Sequence, residues 1–244
     1  MILASAQTSP KRFDFESNLN DHYELIKLAA ENDADLILFP ELSITGYERD
    51  MAKGMVFQQH DSRLSQLRNL SVKYKIIVIA GAPVMIDQEI FIGACIIMPD
   101  DTISIYTKQY LHAGEDIIYN SSFDHDPIIE TGNERISMAI CADINNPKHP
   151  ESARKKGISI YLASIFWEPQ DMDKAYKILS EYSGKHAMNI LMSNYCGQSW
   201  GLDAGGKSGF WDKNGSLIAN LNSKDPGLLL IENDIGNWKS IMAK

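Results

Sequence analysis

The sequence predicts an α/β layered protein, built on one mixed sheet or on two sheets. Three observations carry that expectation. Short β-branched runs recur along all 244 residues. Stretches of helical periodicity separate the early runs and the late ones. Between them the alternation lapses and several strand-like runs succeed one another directly. Alternation favours parallel strands joined by helices, and consecutive strands favour antiparallel additions, so the sheet is expected to be mixed.

The strand-like runs are 2–7 (ILASAQ), 35–39 (DLILF), 75–82 (KIIVIAGA), 89–98 (EIFIGACIIM), 102–107 (TISIYT), 135–140 (RISMAI), 158–163 (ISIYLA) and 189–194 (NILMSN). The first three are apolar on both faces, as in strands covered on both sides. Further strands are expected at 206–211, 215–220 and 227–232, with a hairpin at Asp212-Lys213-Asn214-Gly215, where Asn-Gly tolerates positive φ. Helices are expected at 16–32, 61–73 and 171–187, and a short one starting at Pro150, since proline suits a first helical turn. No repeat, low-complexity tract or linker interrupts the chain, so a single domain, 1–244, is expected.

Composition narrows the function. Hydrophobic residues are 44% and charged residues 23%, ordinary globular values. The net charge of −9 disfavours binding to nucleic acid and to anionic membrane surfaces. No run approaches the ~20 apolar residues of a membrane span. The start, Met1-Ile-Leu-Ala-Ser-Ala-Gln-Thr8, lacks a basic region and the apolar run of a secretory signal. The three cysteines, Cys95, Cys141 and Cys196, are widely spaced, which supports neither a disulfide framework nor a zinc knuckle. A cytoplasmic location is the simplest reading. The six histidines show no paired ligand spacing, so no metal is expected.

Three polar residues stand directly after strand-like runs: Glu41 after Phe39-Pro40, Lys108 after Tyr106-Thr107, and Cys141 after Ile140. Ligands of open α/β sheets bind beyond the carboxyl ends of the strands, so a base, a cation and a nucleophile could share one pocket. Each alone has an ordinary alternative: a loop glutamate, a solvated lysine, a cysteine packed as a small hydrophobe.

The local wording decides between them. Phe39-Pro40-Glu41-Leu42-Ser43-Ile44-Thr45-Gly46-Tyr47 resembles the glutamate motif of the nitrilase, or carbon–nitrogen hydrolase, superfamily. Tyr106-Thr107-Lys108-Gln109-Tyr110-Leu111 resembles its lysine motif, and Ile140-Cys141-Ala142-Asp143, with Pro147 downstream, its cysteine motif. The order is the family's, and the likeness runs from Ala4-Ser-Ala-Gln7 to the Asn214-Gly215 hairpin. The chain departs from the usual pattern at Thr107, Ala142 and Asn146, which bears on pocket shape more than on chemistry.

The resemblance implies a four-layer αββα sandwich with two mixed sheets, a homodimer, and a hydrolase of the amidase-like branch that needs no cofactor. Cys141 would attack the carbonyl carbon, Glu41 would be the general base, and Lys108 would hold the oxyanion, with the Ala142 N–H as second donor. The sulfur is expected to point at the N-terminus of the helix near Pro150. Glu115, seven positions after Lys108, fits the family's second glutamate, with Asp116 as competitor and a solvated acidic loop as the alternative. Tyr47, Phe166 and Trp167 are candidate pocket walls, and the loops 47–60, 112–134 and 165–172 are expected to set specificity. The 112–134 segment is a candidate lid. A small linear amide, first of all a monoamide of a carboxylic or keto acid, is the expected substrate. An N-carbamoyl amine or amino acid is second, and a non-catalytic small-molecule-binding protein of the same fold is the rival class. The segment after 227–232 leaves no room for a fused synthetase domain, so ammonia channelling is not expected.

Gly201-Leu-Asp-Ala-Gly205-Gly206-Lys207-Ser208 matches the phosphate-loop pattern letter by letter. Residues 209–215 read as a strand and a tight turn instead of a helix, so the match is discounted. His149 could pair with Cys141, although a helix cap is the plainer role. Cys95 is expected in the core; Cys196, just after a strand, could approach the pocket edge, but nothing in the sequence requires it there.

Overall fold

A computed structural model describes residues 1–242; the last two residues of the expected domain, 243–244, lie outside the described residues. In chain order the elements are β1 (Ile2–Gln7), α1 (Phe15–Glu31), β2 (Leu36–Leu38), α2 (Ser65–Tyr74), β3 (Ile77–Ile86), β4 (Glu89–Ile97), β5 (Ile103–Thr107), β6 (Ile129–Thr131), β7 (Glu134–Ile140) and α3 (Lys148–Lys155). They continue with β8 (Ile160–Ser164), α4 (Met172–His186), β9 (Asn189–Ser193), β10 (Gln198–Ser199), β11 (Leu202–Asp203), β12 (Gly209–Trp211), β13 (Leu217–Asn220), β14 (Gly227–Asp234) and β15 (Asn237–Ile241).

Two mixed sheets form, ordered β15-β14-β1-β2-β3-β4-β5 and β13-β12-β9-β8-β7-β6, with β10 and β11 as a separate ribbon. Period-two alternation explains how they stack. Leu3, Leu36, Leu38, Ile77 and Ile79 face one cluster, shared with Ile136, Leu162 and Leu191 of the second sheet. Their neighbours Ala4, Ile37, Val78 and Ala80 face another, shared with Leu19 and Ile26 of α1 and Leu67 and Leu70 of α2. Ala175 and Leu179 of α4 belong to the first cluster, covering the far face of the second sheet. The result is the expected α/β sandwich with helices outside two stacked sheets. Ser5 Oγ donates to the Met192 carbonyl at 2.8 Å and Ser193 Oγ to that of Ala6, so these two hydroxyls between the sheets are paired.

Strand direction places the chemistry. β1, β2 and β3 are parallel, and two antiparallel steps, β3 to β4 and β4 to β5, restore that direction at β5. β7, β8 and β9 are parallel in the other sheet, and a parallel bridge from Thr8 to Tyr195 aligns the carboxyl ends of both. The residues after β2, β5 and β7 therefore converge.

Several expectations change. The short helix begins at Lys148, two residues before Pro150, because Pro147 and the Asn146 side chain, which accepts from the Lys148 N–H at 3.0 Å, already start it. The 61–73 segment divides into a 3-10 turn, Ser62–Leu64, and α2. After the 227–232 run the chain turns at Gly236 (φ 82°) and adds β15, whose buried Trp238 packs on Phe210 at 4.9 Å. β6 is a further strand, inside the segment expected as a lid; its edge position and three residues give it little periodicity to read. The Asn214-Gly215 hairpin forms as expected, with β12 paired to β13 and Gly215 at φ 88°.

No helix among the described residues is long and apolar enough to cross a membrane. None of their His, Cys, Asp and Glu side chains gather in groups of three that could hold a metal ion.

Candidate active site

Glu41 lies in a tight turn after β2, with Leu42 in the left-handed region at φ 53°. The turn presses on β3 where only a glycine fits: a Cβ on Gly81 would sit 2.4 Å from the Leu42 nitrogen and 2.7 Å from the Pro40 oxygen. Phe39 N–H donates to the Ile79 carbonyl at 2.9 Å, and Ile44 N–H to that of Gly81 at 3.0 Å. The second sheet holds the same turn: Ser164 Oγ donates to the Phe39 carbonyl at 2.9 Å, and Tyr195 OH to that of Glu41.

Lys108, Glu41 and Glu115 are fully buried together. Lys108 Nζ donates to Glu41 Oε1 at 2.7 Å and to Glu115 Oε1 at 2.9 Å. Glu115 is held in turn by Tyr47 OH at 2.6 Å and by the His112 N–H at 2.7 Å. Asp116 is exposed, and of the two adjacent acids Glu115 is the one that meets Lys108. Burial raises the Glu41 carboxyl to about 7, with Glu115 adding and Lys108 opposing. Burial works against the Lys108 charge, but Glu41, Cys141 and Glu115 outweigh it and hold the ammonium above its ordinary value. Burial also pushes Glu115 up; Lys108 and the Tyr47 hydroxyl more than offset it, leaving that carboxylate below its usual value. The three groups therefore split into one permanent ion pair, Lys108 with Glu115, and one carboxylate poised near neutrality. Among the described residues Glu41 Oε2 meets no hydrogen-bond partner at full geometry, and Cys141 acts on the same carboxyl.

Cys141 opens a 3-10 turn, Cys141–Asn145, immediately after β7, at φ 43°. A left-handed cysteine is strained by about 1–3 kcal/mol, and the surroundings must hold it. Asp143 does so: it accepts from the N–H groups of Gln109 (2.9 Å), Tyr110 (2.8 Å) and Ile140 (2.8 Å) and from Tyr106 OH (2.7 Å). This carboxylate ties the turn that carries Cys141 to the residues following Lys108. The expected aim of the sulfur at a helix near Pro150 is corrected, because the partners of Sγ are Trp167 Nε1–H at 3.0 Å and the Phe166 carbonyl at 3.7 Å. Burial raises the Cys141 thiol, and Glu41 adds to it against Lys108, so the sulfur rests protonated.

A cavity of about 150 Å³ opens over Cys141, lined among others by Tyr47, Arg49, Phe166 and Trp167. A cavity of roughly that size accommodates a benzene-sized guest. The candidate walls Tyr47, Phe166 and Trp167 all line this cavity; Ala142 is buried beside Cys141 and is not among the lining residues. Asn194, which no sequence motif singles out, fixes the Trp167 wall by accepting its N–H at 3.0 Å and donating to its carbonyl at 3.2 Å.

The other candidates resolve plainly. His149 neither caps a helix nor meets Cys141; it lies between Tyr106 OH (2.8 Å) and Tyr161 OH (2.7 Å). Cys95 is core, and Cys196 is buried with its sulfur on the Thr8 carbonyl at 3.6 Å. In the phosphate-loop match, the N–H groups of Gly205, Gly206, Lys207 and Ser208 are already bonded to Trp167, Tyr195, Asn222 and Gln7, and β12 comes next. That loop closes the sandwich, and its amides are not free for phosphate.

A poised carboxylate, a buried ammonium and a thiol gathered at one end of two stacked sheets are the working parts of a thiol-dependent acyl transfer. The sequence matches the carbon-nitrogen hydrolase family over residues 2–242, and the chain belongs to that family. It is 24% identical over 251 residues to a probable nitrilase of Schizosaccharomyces pombe, covering 98% of this chain and 90% of that one. It is 25% identical over 218 residues to the glutamine-dependent NAD(+) synthetase of Thermotoga maritima, covering 81% of this chain but 35% of that longer protein. Among solved structures, a cysteine-to-alanine mutant of the amidase from Nesterenkonia sp. AN1 in complex with butyramide superposes with a TM-score of 0.86 at 21% identity, covering 94% of this chain and 89% of that one. A second mutant of that amidase, with acrylamide added to its active-site cysteine, gives 0.86 at 20% identity over 96% and 93%. These structures share the fold.

Proposed function

We propose that the protein hydrolyses the carbon–nitrogen bond of a small linear amide through a thioester on Cys141. The observation that carries this reading is the buried Glu41 carboxyl, bonded to Lys108 at 2.7 Å and raised to about 7, beside a protonated thiol. Oε2 takes the Cys141 proton as sulfur attacks the amide carbon. Lys108 Nζ stabilises the oxyanion that forms, with the Ala142 N–H as second donor; one such donor is typically worth about 2.7–4 kcal/mol. Glu41 passes its proton to the leaving nitrogen, ammonia departs, and the acyl group remains on sulfur. Water then gives a proton to Glu41 and attacks the thioester, and the carboxylic acid leaves as the proton returns to Cys141. Glu115 positions Lys108, and Trp167 Nε1–H on Sγ favours the developing thiolate. The family's homodimer and a cytoplasmic location belong to the same proposal, and sedimentation of the pure protein tests the first.

Ammonia release from a panel of small amides tests the reading, with wild type run beside Cys141→Ala. Release by wild type alone is expected. Equal release from both would overturn the nucleophile, and silence from both would favour a binding protein of this fold.

A further inference from the structure

The cavity lining carries one buried charge that the acyl-transfer chemistry does not use. Arg49 follows Tyr47 by two residues, heads the 3-10 turn Arg49–Gly54, and is 9% exposed. Its guanidinium carbon lies 4.9 Å from the Tyr47 ring centroid and 4.3 Å from that of Trp200. Nη1 donates to the Ala113 carbonyl at 3.2 Å, and the buried Nε has no hydrogen-bond partner. None of the ion pairs among the described residues includes Arg49. The adjacent Glu48 is committed elsewhere, to Arg12 Nε at 2.8 Å and to the Trp200 N–H at 2.9 Å. Glu115, beyond Tyr47, is neutralised by Lys108. The other charged lining residues, Glu168, Asp171 and Lys174, are half-buried or exposed at the mouth, where water screens them.

A guanidinium stays charged at any working pH, and one withdrawn from water calls for an anion. Aromatic faces and a single carbonyl supply only part of that. Carboxylates match the planar donor array of arginine best among small anions carried on organic chains.

We propose that the substrate is an amide bearing a free carboxylate, and that Arg49 binds this carboxylate while the scissile carbon sits against Cys141 Sγ. The proposal rests on the amidase reading and names its substrate class. Arg49 and Cys141 line the same small cavity, so the two ends of the substrate are separated by a short chain. Two chemistries share this form: the monoamide of a small dicarboxylic acid, and an N-carbamoyl amino acid. In both, the bond to the terminal nitrogen breaks, ammonia leaves with the proton from Glu41, and the distal carboxylate passes through unchanged. Arg49 is then a specificity residue with no part in the proton transfers.

The test compares kcat/KM for succinamate, N-carbamoylglycine and butyramide. The first two have the same length and differ at one chain atom, and the third replaces the carboxylate with a methyl group. Wild type is expected to prefer at least one carboxylate substrate over butyramide by about tenfold or more, and which one identifies the source. In Arg49→Met that ratio should collapse towards unity, and in Arg49→Lys it should fall partway, mainly through KM. The ratio is read within each variant, so a general loss of activity does not imitate the result. If Arg49→Met does not fold, an unchanged ratio in Arg49→Lys overturns the proposal. A wild type that prefers butyramide, or a ratio that survives in Arg49→Met, also overturns it and leaves the amidase reading intact. Failure to cleave any of the three, with no acyl adduct on Cys141, removes the amidase reading itself.

Discussion

Replacing Asp143 with asparagine removes the brace between the two halves of the site without changing its size. The carboxylate accepts three N–H groups and the Tyr106 hydroxyl. An asparagine whose Oδ1 keeps the Gln109 and Tyr110 N–H groups must turn its NH₂ towards Ile140 and Tyr106. Tyr106 can adapt: its hydroxyl can accept from the new amide and donate to His149 Nε2, and His149 Nδ1–H can donate to Tyr161, reversing the chain Tyr106–His149–Tyr161. The Ile140 N–H cannot adapt and becomes a buried donor facing a donor, at a cost of about 1–3 kcal/mol. The two retained bonds lose charge assistance, which adds about 1–2 kcal/mol. The sum is about 2–5 kcal/mol, and at roughly 2–4 °C per kcal/mol for a chain of this size Tm should fall by about 4–20 °C. A shift of ~1 Å between Lys108 and Cys141 would also lower kcat/KM by about 10²-fold. Thermal unfolding at pH 7.5 and ammonia release below Tm check both figures. A variant that keeps Tm within about 1 °C and kcat/KM within about twofold of wild type would refute the brace, because even the smallest of these costs exceeds that.

The same geometry fixes three further outcomes. Burial raises Glu41 to about 7, and only its ionised form can take the thiol proton, so kcat/KM should fall about tenfold per pH unit below that value; a limb that inflects near 4.5 would contradict it. Gly81→Ala drives a Cβ into the backbone of the Glu41 turn at 2.4 Å and should both destabilise the protein by more than about 2 kcal/mol in urea unfolding and abolish turnover. Trp167→Phe keeps the cavity wall but removes the donor to Sγ, so kcat should fall about tenfold with the far-UV circular dichroism unchanged.

Legibility in the sequence tracks physical range. The strands at 2–7 and 189–194 are legible because burial on both faces leaves continuous apolar runs, and these survive as β1 and β9. Glu41, Lys108 and Cys141 are legible through the family-like wording around each, since their places after strand-like runs leave ordinary alternatives open; direction along the sheets then brings those ends together. Glu115 is read over Asp116 only through the family likeness: by their own chemistry adjacent acids differ only in which one the turn after Gly114 points inward. Asp143 and Asn194 escape a sequence reading for a related reason. Their partners are mostly backbone groups, some far away in sequence, and backbone groups carry no residue signature. The setting of Cys141 is equally hidden, since a left-handed residue opening a 3-10 turn has no glycine to announce it. Arg49 looks like any loop arginine until Tyr47 and Trp200, 153 residues apart, enclose it.

The central claim is a covalent acyl group on Cys141, and mass spectrometry of enzyme quenched during turnover of a small amide tests it most directly. The account predicts a mass increase equal to the acyl group less one hydrogen, located on the peptide that contains Cys141, labile to hydroxylamine and absent in Cys141→Ala. Steady ammonia release with no adduct on that peptide, or an adduct on Cys95 or Cys196 instead, would contradict it.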